Sequence, residues 1–266
     1  MALKSALINV MIGAARKAAR GLARDFGEVE NLQVSKKGPA DFVSAADIRA
    51  EEVLRRELTK ARPDYGFRLE ESGDVAPQDG RNIWLVDPLD GTTNFLHGVP
   101  HFAISIALAR DAELIAGIVY DPVKDEMFWA EKGQGAYCNE HRLRVSARSR
   151  MNEALIATGM PFLSHQDPRL FLRELAVVMP AVAGVRRFGS AALDLAYVAA
   201  GRCDGFWERG LSPWDIGAGI VLVREAGGLV TDIDGSDNMI ESGDILAAND
   251  HLHVGLGALL RDGAAG

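Results

Sequence analysis

The segment VDPLDGTTN at residues 86–94 sets two carboxylates, Asp87 and Asp90, three apart around Pro88, with Gly91, Thr92, Thr93 and Asn94 directly behind them. Asp87 ends an apolar run, NIWLVD, and Pro88 is expected to stop that run as a strand because it lacks a ladder donor. Asp90-Gly91 then favours a tight turn. Two carboxylates and the Leu89 carbonyl thus fall on one small loop. Hard divalent cations take oxygen ligands of this kind, and magnesium keeps positions open for phosphate oxygens and water.

Taken alone, DPLD is better read as a polar turn, with Asp90 as an Asx-turn residue and Thr92 as a helix cap. Further acids shift the balance. Glu70 and Glu71 in GFRLEESG are adjacent at the end of an apolar strand, where like charges repel unless something positive sits between them. Asp215 opens a helix after Pro213, and Asp47 completes a Ser44-x-x-Asp capping pattern. Each reads singly as a cap; together they make an oxygen-rich set drawn from the whole chain.

Three segments, LEES at 69–72, WLVDPLDGTTNF at 84–95 and WDIGAG at 214–219, together resemble the inositol monophosphatase family of the lithium-sensitive, magnesium-dependent sugar phosphatases. The likeness runs over nearly the whole chain and implies a layered αβαβα sandwich of the inositol monophosphatase and fructose-1,6-bisphosphatase type, with the site between two lobes. It implies that Glu70, Asp87 and the Leu89 carbonyl hold a first Mg2+, that Asp87, Asp90 and Asp215 hold a second, and that a third, weaker ion sits near Glu70; Mn2+ is an acceptable substitute. Asp47, Thr92 and Glu70 would be the catalytic residues, Thr92 and Asp47 polarising a water that attacks phosphorus in line. Asp90, Gly91, Thr92, Gly189, Ser190, Ala191, Glu208 and Asp215 would contact substrate, Glu208 holding its hydroxyls. One departure is Gly217, where the family usually carries alanine; glycine is expected to keep the site small. The resemblance also implies lithium sensitivity and a homodimer. It leaves fructose 1,6-bisphosphate, histidinol phosphate and 3′-phosphoadenosine 5′-phosphate as alternatives to inositol phosphate, and, as a function of another class, a role as an RNA or transcription-complex interaction protein.

The elements that must position these acids follow from patterning. Residues 3–24 and 44–60 read as helices, and FAISIALAR, ELIAGIVYDP and DEMFWAEKGQGAYCN as consecutive antiparallel strands. After about residue 145 strands and helices alternate. The domain expectation is therefore an N-terminal lobe, 1–145, of two helices on an antiparallel sheet carrying most metal ligands, and an α/β lobe, 146–266, carrying Asp215 and the substrate contacts. Asp167-Pro168 is expected to open a helix, and Ser190 to cap another that stops at Gly201.

The chain has 266 residues, 48% of them hydrophobic and 25% charged, enough for a large core without disulfides. Its two cysteines, Cys138 and Cys203, are in no metal spacing and point to a reducing, cytoplasmic setting. The net charge of -8 argues against a nucleic-acid binder, leaving the arginines of HRLRVSARSR at 141–150 as a solvated strand and turn. The N-terminal apolar residues recur at helical spacing, as in an amphipathic core helix, and no stretch is long enough to span a membrane. His97 and His101 flank Pro100, which breaks the helix a zinc pair would need. DIDGSDNMIESGD has its glycine at the wrong position for a calcium loop and reads as a polar hairpin turn.

Overall fold

The computed structural model describes residues 4–28, 34–36, 42–161 and 168–265. Helix α1 (Ala6–Phe26) begins where the Ser5 hydroxyl accepts the Ile8 N–H, and it buries Ile8, Met11, Ala15 and Leu22 along one face. Strands β1 (Val34–Lys36) and β2 (Phe42–Ser44) form a short antiparallel ribbon that leads into α2 (Ala45–Ala61). The Ser44 cap and the Asp167 cap lie outside the described side chains.

Eight strands follow in one sheet: β3 (Gly66–Leu69), β4 (Gly73–Val75), β5 (Asn82–Asp90), β6 (Ala103–Arg110), β7 (Glu113–Asp121), β8 (Glu126–Glu131), β9 (Gly135–Cys138) and β10 (His141–Arg142). Their order is β10-β9-β8-β7-β6-β5-β3-β4. Pairing is antiparallel except between β3 and β5, where the sequence reading had antiparallel strands only. β4 hairpins back from β3 and occupies the edge, so β5 re-enters on the other side of β3 and parallel to it.

The second sheet has the order β12-β11-β13-β15-β14, from β11 (Leu155–Thr158), β12 (Gly184–Arg186), β13 (Gly205–Glu208), β14 (Leu229–Thr231) and β15 (Ile245–Ala248). Helices α4 (Pro168–Val178), α5 (Ala191–Ala199), α6 (Pro213–Glu225) and α8 (Asp250–Ala265) connect or flank these strands. Where a polar hairpin was expected at 232–244, a turn leads into the one-turn helix α7 (Met239–Ser242).

The layers follow from which faces are apolar. α1 and α2 cover one face of the large sheet, with Trp84, Phe95, Phe102 and Ile106 between them. α5 and α6 lie against its other face and also against the second sheet, so one continuous core holds Leu85, Ala107 and Phe128 with Leu195, Ile220 and Phe206. α4 and α8 close the outside over Trp207, Leu246 and Leu256. The result is an αβαβα sandwich. Its central helices are rich in alanine and glycine because they are pressed between two sheets. A Cβ on Gly117 of β7 would come within 2.7 Å of the Ala218 backbone, which shows how close α6 lies.

Gly217 belongs to the same packing. A Cβ there would sit 2.8 Å from Leu85 Cδ1 and 3.2 Å from Ala107 Cβ. It lets α6 approach the sheet and serves packing there, where the sequence had suggested that it keeps the site small.

Candidate active site

Pro88 does not end β5. The strand runs on to Asp90, and the ladder to β6 shifts register between Asp87, opposite Ser105, and Asp90, opposite Ala103. Three steps on one strand match two on the other, which is a β-bulge, and a bulge tolerates the missing proline donor. In a regular strand, side chains at an odd separation point to opposite faces. The extra residue cancels that alternation and lets Asp87 and Asp90 address one place. Asp87 then folds over its own turn, its Oδ1 accepting the Leu89 N–H at 2.8 Å.

Gly91 follows at φ 94°, caps the short helix α3 (Thr92–Leu96), and has no room for a side chain: a Cβ would lie 3.1 Å from the His101 carbonyl and 3.3 Å from that of Gly189. Gly91→Ala combines a left-handed backbone with contact against rigid main chain. It is expected to lower the unfolding free energy by roughly 2 kcal/mol or more in a urea titration; an unchanged midpoint would show that this corner relaxes freely.

Thr92 Oγ1 donates to the Leu89 carbonyl at 2.9 Å and stands 3.4 Å from Asp47 Oδ2, a long contact. Asp47 comes from the first turn of α2 and is buried. The oxygens of Asp47, Glu70 and Glu71 gather within 4.8 Å of one another, an arrangement that can hold a metal ion. Glu71, which entered the sequence argument only as the like charge beside Glu70, is therefore part of the cluster.

The second half of the chain supplies the opposite wall. Asp215 is the third residue of α6, and its Oδ2 accepts the Ser212 N–H at 2.7 Å in a full capping box. It is thus a cap, yet it also acts on Asp87 as a charge, as do Glu70, Asp90 and Asp47. Burial and these four acids push the Asp87 carboxyl well above the usual range, and burial with Asp90 and Glu70 does the same to Asp215. Asp90 is pushed up to about 6 by burial, against hydrogen bonds from the Ser190 hydroxyl and the Ala192 N–H. Ser190 also caps α5 by accepting the Leu193 N–H at 3.3 Å. The segment Gly189, Ser190 and Ala191 therefore lies directly against Asp90.

Glu208, at the end of β13, is raised to about 8 by burial and by Asp90. Gly159 makes its position possible: a Cβ there would fall 1.8 Å from Glu208 Oε1. The sequence reading passed over Gly159, and a glycine just past a strand was the available signal. It also missed Asp194 on α5. That carboxyl is buried, its Oδ1 has no hydrogen-bond partner among the described residues, and burial, Glu208 and Asp90 raise it well above the usual range. An acid inside the apolar run AALDLAYVA was the sign to follow. Arg187 opposes the rise at both Asp194 and Glu208.

Asn94 joins the halves. Its amide donates to the His101 carbonyl at 2.8 Å and to the Phe188 carbonyl at 2.9 Å, tying the loop after the DPLD bulge to the segment before Ser190. His101 packs on the rings of Phe188 and Tyr197, and burial and Lys124 lower it to about 4. It is a packing histidine.

The αβαβα sandwich with a carboxylate cluster at the junction of its layers defines the class of fold and site. A family model described as the inositol monophosphatase family matches residues 3–264. The chain is 58% identical over 247 residues to a protein named inositol-1-monophosphatase from Mesorhizobium japonicum, covering 93% of each. It is 43% identical to the Nus factor SuhB of Escherichia coli K12 over 96% of both chains. The crystal structure of the extragenic suppressor protein suhB from Bartonella henselae superposes with a TM-score of 0.95 at 55% identity, over 97% of this chain and 100% of that one. The chain belongs to the inositol monophosphatase family, a family of phosphatases. Among the described residues no helix is long and apolar enough to cross a membrane.

Proposed function

We propose that the protein is a magnesium-dependent phosphomonoesterase that hydrolyses inositol monophosphate to inositol and phosphate. The observation that carries this is the convergence on Asp87 of Glu70, Asp90, Asp215 and Asp47, acids from both halves of the chain, with no positive charge among the leading influences on Asp87. Such a group is costly to bury ionised unless cations accompany it. Its donors are all hard oxygens, which fits Mg2+ and, second, Mn2+.

Glu70, Asp87 and the Leu89 carbonyl would hold one ion, and Asp87, Asp90 and Asp215 a second, with Asp87 shared. A third position would lie near Glu70. Bound there, the ions supply charge neutralisation for the phosphate and a more acidic water. The remaining work falls to the chain. If Thr92 turns its hydroxyl proton from the Leu89 carbonyl, now at 2.9 Å, to Asp47, now at 3.4 Å, its lone pairs face the incoming water. The Gly91 and Thr92 N–H groups would receive the phosphate. Glu208, with Asp194 and Arg187 behind it, would accept or donate hydrogen bonds to vicinal hydroxyls, which favours a polyol over a nucleotide. We infer that the enzyme works in the cytoplasm as a lithium-sensitive homodimer.

Phosphate release with magnesium should be compared for myo-inositol 1-phosphate, fructose 1,6-bisphosphate, histidinol phosphate and 3′-phosphoadenosine 5′-phosphate. Inositol phosphate is expected to be preferred by tenfold or more in kcat/KM, about 1.4 kcal/mol in the barrier. Preference for another member of the panel would overturn the substrate and keep the chemistry.

The likeness to proteins named Nus factor SuhB favours a second reading, a partner in a transcription complex. Arg148 and Arg150, two of the arginines that would serve it, are already paired with Asp204 and Glu153. Absence of phosphate release from every substrate, with magnesium shown to bind, would bring this reading forward.

A further inference from the structure

Helix α2 carries two acids one turn apart on its buried face, Asp47 and Glu51, which are 1% and 4% exposed. Like charges at this spacing repel each other, and burial makes that worse. Asp47 faces Thr92 and the cluster with Glu70 and Glu71. Glu51 is engaged differently. Its Oε2 accepts the Glu71 N–H at 2.8 Å and its Oε1 the Ser72 N–H at 2.9 Å. These are the two amides directly after Glu70. In the β3–β4 hairpin Leu69 pairs with Gly73, so residues 70–72 form the turn between the strands. Two charge-assisted bonds from one carboxylate therefore pin the turn that bears Glu70 and Glu71 to the helix that bears Asp47.

We propose that Glu51 is a positioning residue for the metal site, holding the Glu70–Glu71 turn at the distance from Asp47 at which its oxygens bind a cation. The inference rests on the reading of Glu70 as a ligand. Groups that orient ligands in this way change metal affinity by about 10–100-fold when replaced. In Glu51→Gln one N–H keeps an oxygen while the other meets an amide NH2, so the turn loses half its tether with little change in volume.

The test is Mn2+ binding followed by electron paramagnetic resonance in the full-length protein, with magnesium titration of phosphate release beside it. Glu51→Gln is expected to weaken the tightest Mn2+ site by about 10–100-fold. It should raise the magnesium needed for half-maximal rate by a similar factor, with kcat at saturating magnesium within about threefold of wild type. Glu51→Asp, which keeps the charge and loses reach, should fall between, and it carries the test if the glutamine variant does not fold. A variant that melts earlier yet binds Mn2+ like wild type would overturn the proposal, because Glu51 would then only stabilise the turn. Glu70→Gln separates the two ideas: if it leaves every Mn2+ site intact, the ligand reading itself fails, whatever Glu51 does.

Discussion

Asp87→Asn is expected to lower phosphate release at saturating magnesium by on the order of 10³-fold or more, while leaving the metal-free protein at least as stable as wild type. Both parts follow from one geometry. Asp87 is buried, and the strongest charges acting on it are the four carboxylates Glu70, Asp90, Asp215 and Asp47. In the proposed mechanism it is the ligand shared by two ions, so a neutral amide weakens both at once. A metal supplies several kcal/mol of transition-state stabilisation, and each 1.36 kcal/mol is about tenfold in rate. The fold loses little. Asparagine keeps the oxygen that accepts the Leu89 N–H at 2.8 Å, and it occupies almost the same volume. Without metal the substitution removes a carboxyl that burial and its acidic neighbours force to hold a proton, a gain of roughly 1–3 kcal/mol at neutral pH. Steady-state kinetics and thermal unfolding in EDTA measure the two halves. Retained turnover would remove Asp87 from the metal site; a metal-free variant melting well below wild type would show that the carboxylate has a positive partner.

The second large effect is on the pH dependence of stability without metal. The metal-free protein is expected to melt roughly 5 °C lower at about pH 8.5 than at about pH 6.5, and saturating magnesium should flatten that fall. Glu208 is raised from 4.5 to about 8, Asp90 from 3.8 to about 6, and Asp87, Asp194 and Asp215 are raised as well. A carboxyl raised in the folded state binds its proton more tightly there. Its contribution is complete below the ordinary value and is lost as pH rises through the folded one, which for Glu208 falls inside this window. Proton release by one such group costs on the order of 2 kcal/mol over the span.

Groups shifted the other way act elsewhere. His101, lowered from 6.5 to about 4, and His253, also lowered, lose stability only as pH falls below the ordinary histidine value. Asp25, held down by Arg49 and Arg24 against the effect of burial, matters only in stronger acid. The five raised carboxyls outnumber the two lowered histidines, so metal-free stability should be highest near the ordinary carboxylate range, about pH 4–5, and already be falling at about pH 6. Magnesium takes the place of the protons as countercharge, raising the melting temperature most at high pH. Calorimetric scans in EDTA and in magnesium check this; a melting temperature that rises with pH in EDTA would show the acids to be solvated or paired.

Much of this was legible in the residues. DPLDGTTN is a local object: its carboxylates, its carbonyl and its turn glycine lie within a few residues, so their chemistry is read without a fold. The Ser190 cap and a helix start beside Pro213 were legible for the same reason, since such signals act on the next three residues, although the N-cap of the second is Ser212. The β-bulge was not. Proline at Pro88 argues for a strand end, and only pairing with β6 decides that the strand continues with one residue extra.

Asp194, Glu51, Gly159 and Asn94 escaped because their meaning lies in distant partners. Asn94 reaches Phe188 across 94 residues, and Glu51 reaches Glu71 across 20. By itself the sequence determined most helices and strands and the acids fit for a cation, because ligand chemistry and hydrophobic period are properties of residue type and spacing; the layered fold came with the family resemblance that its motifs carry. The tertiary structure alone decided which face Asp87 and Asp90 share, what tethers the Glu70 turn, and which glycines let α6 and Glu208 approach. Those depend on close packing and on hydrogen bonds between segments far apart in the chain, which no local pattern encodes.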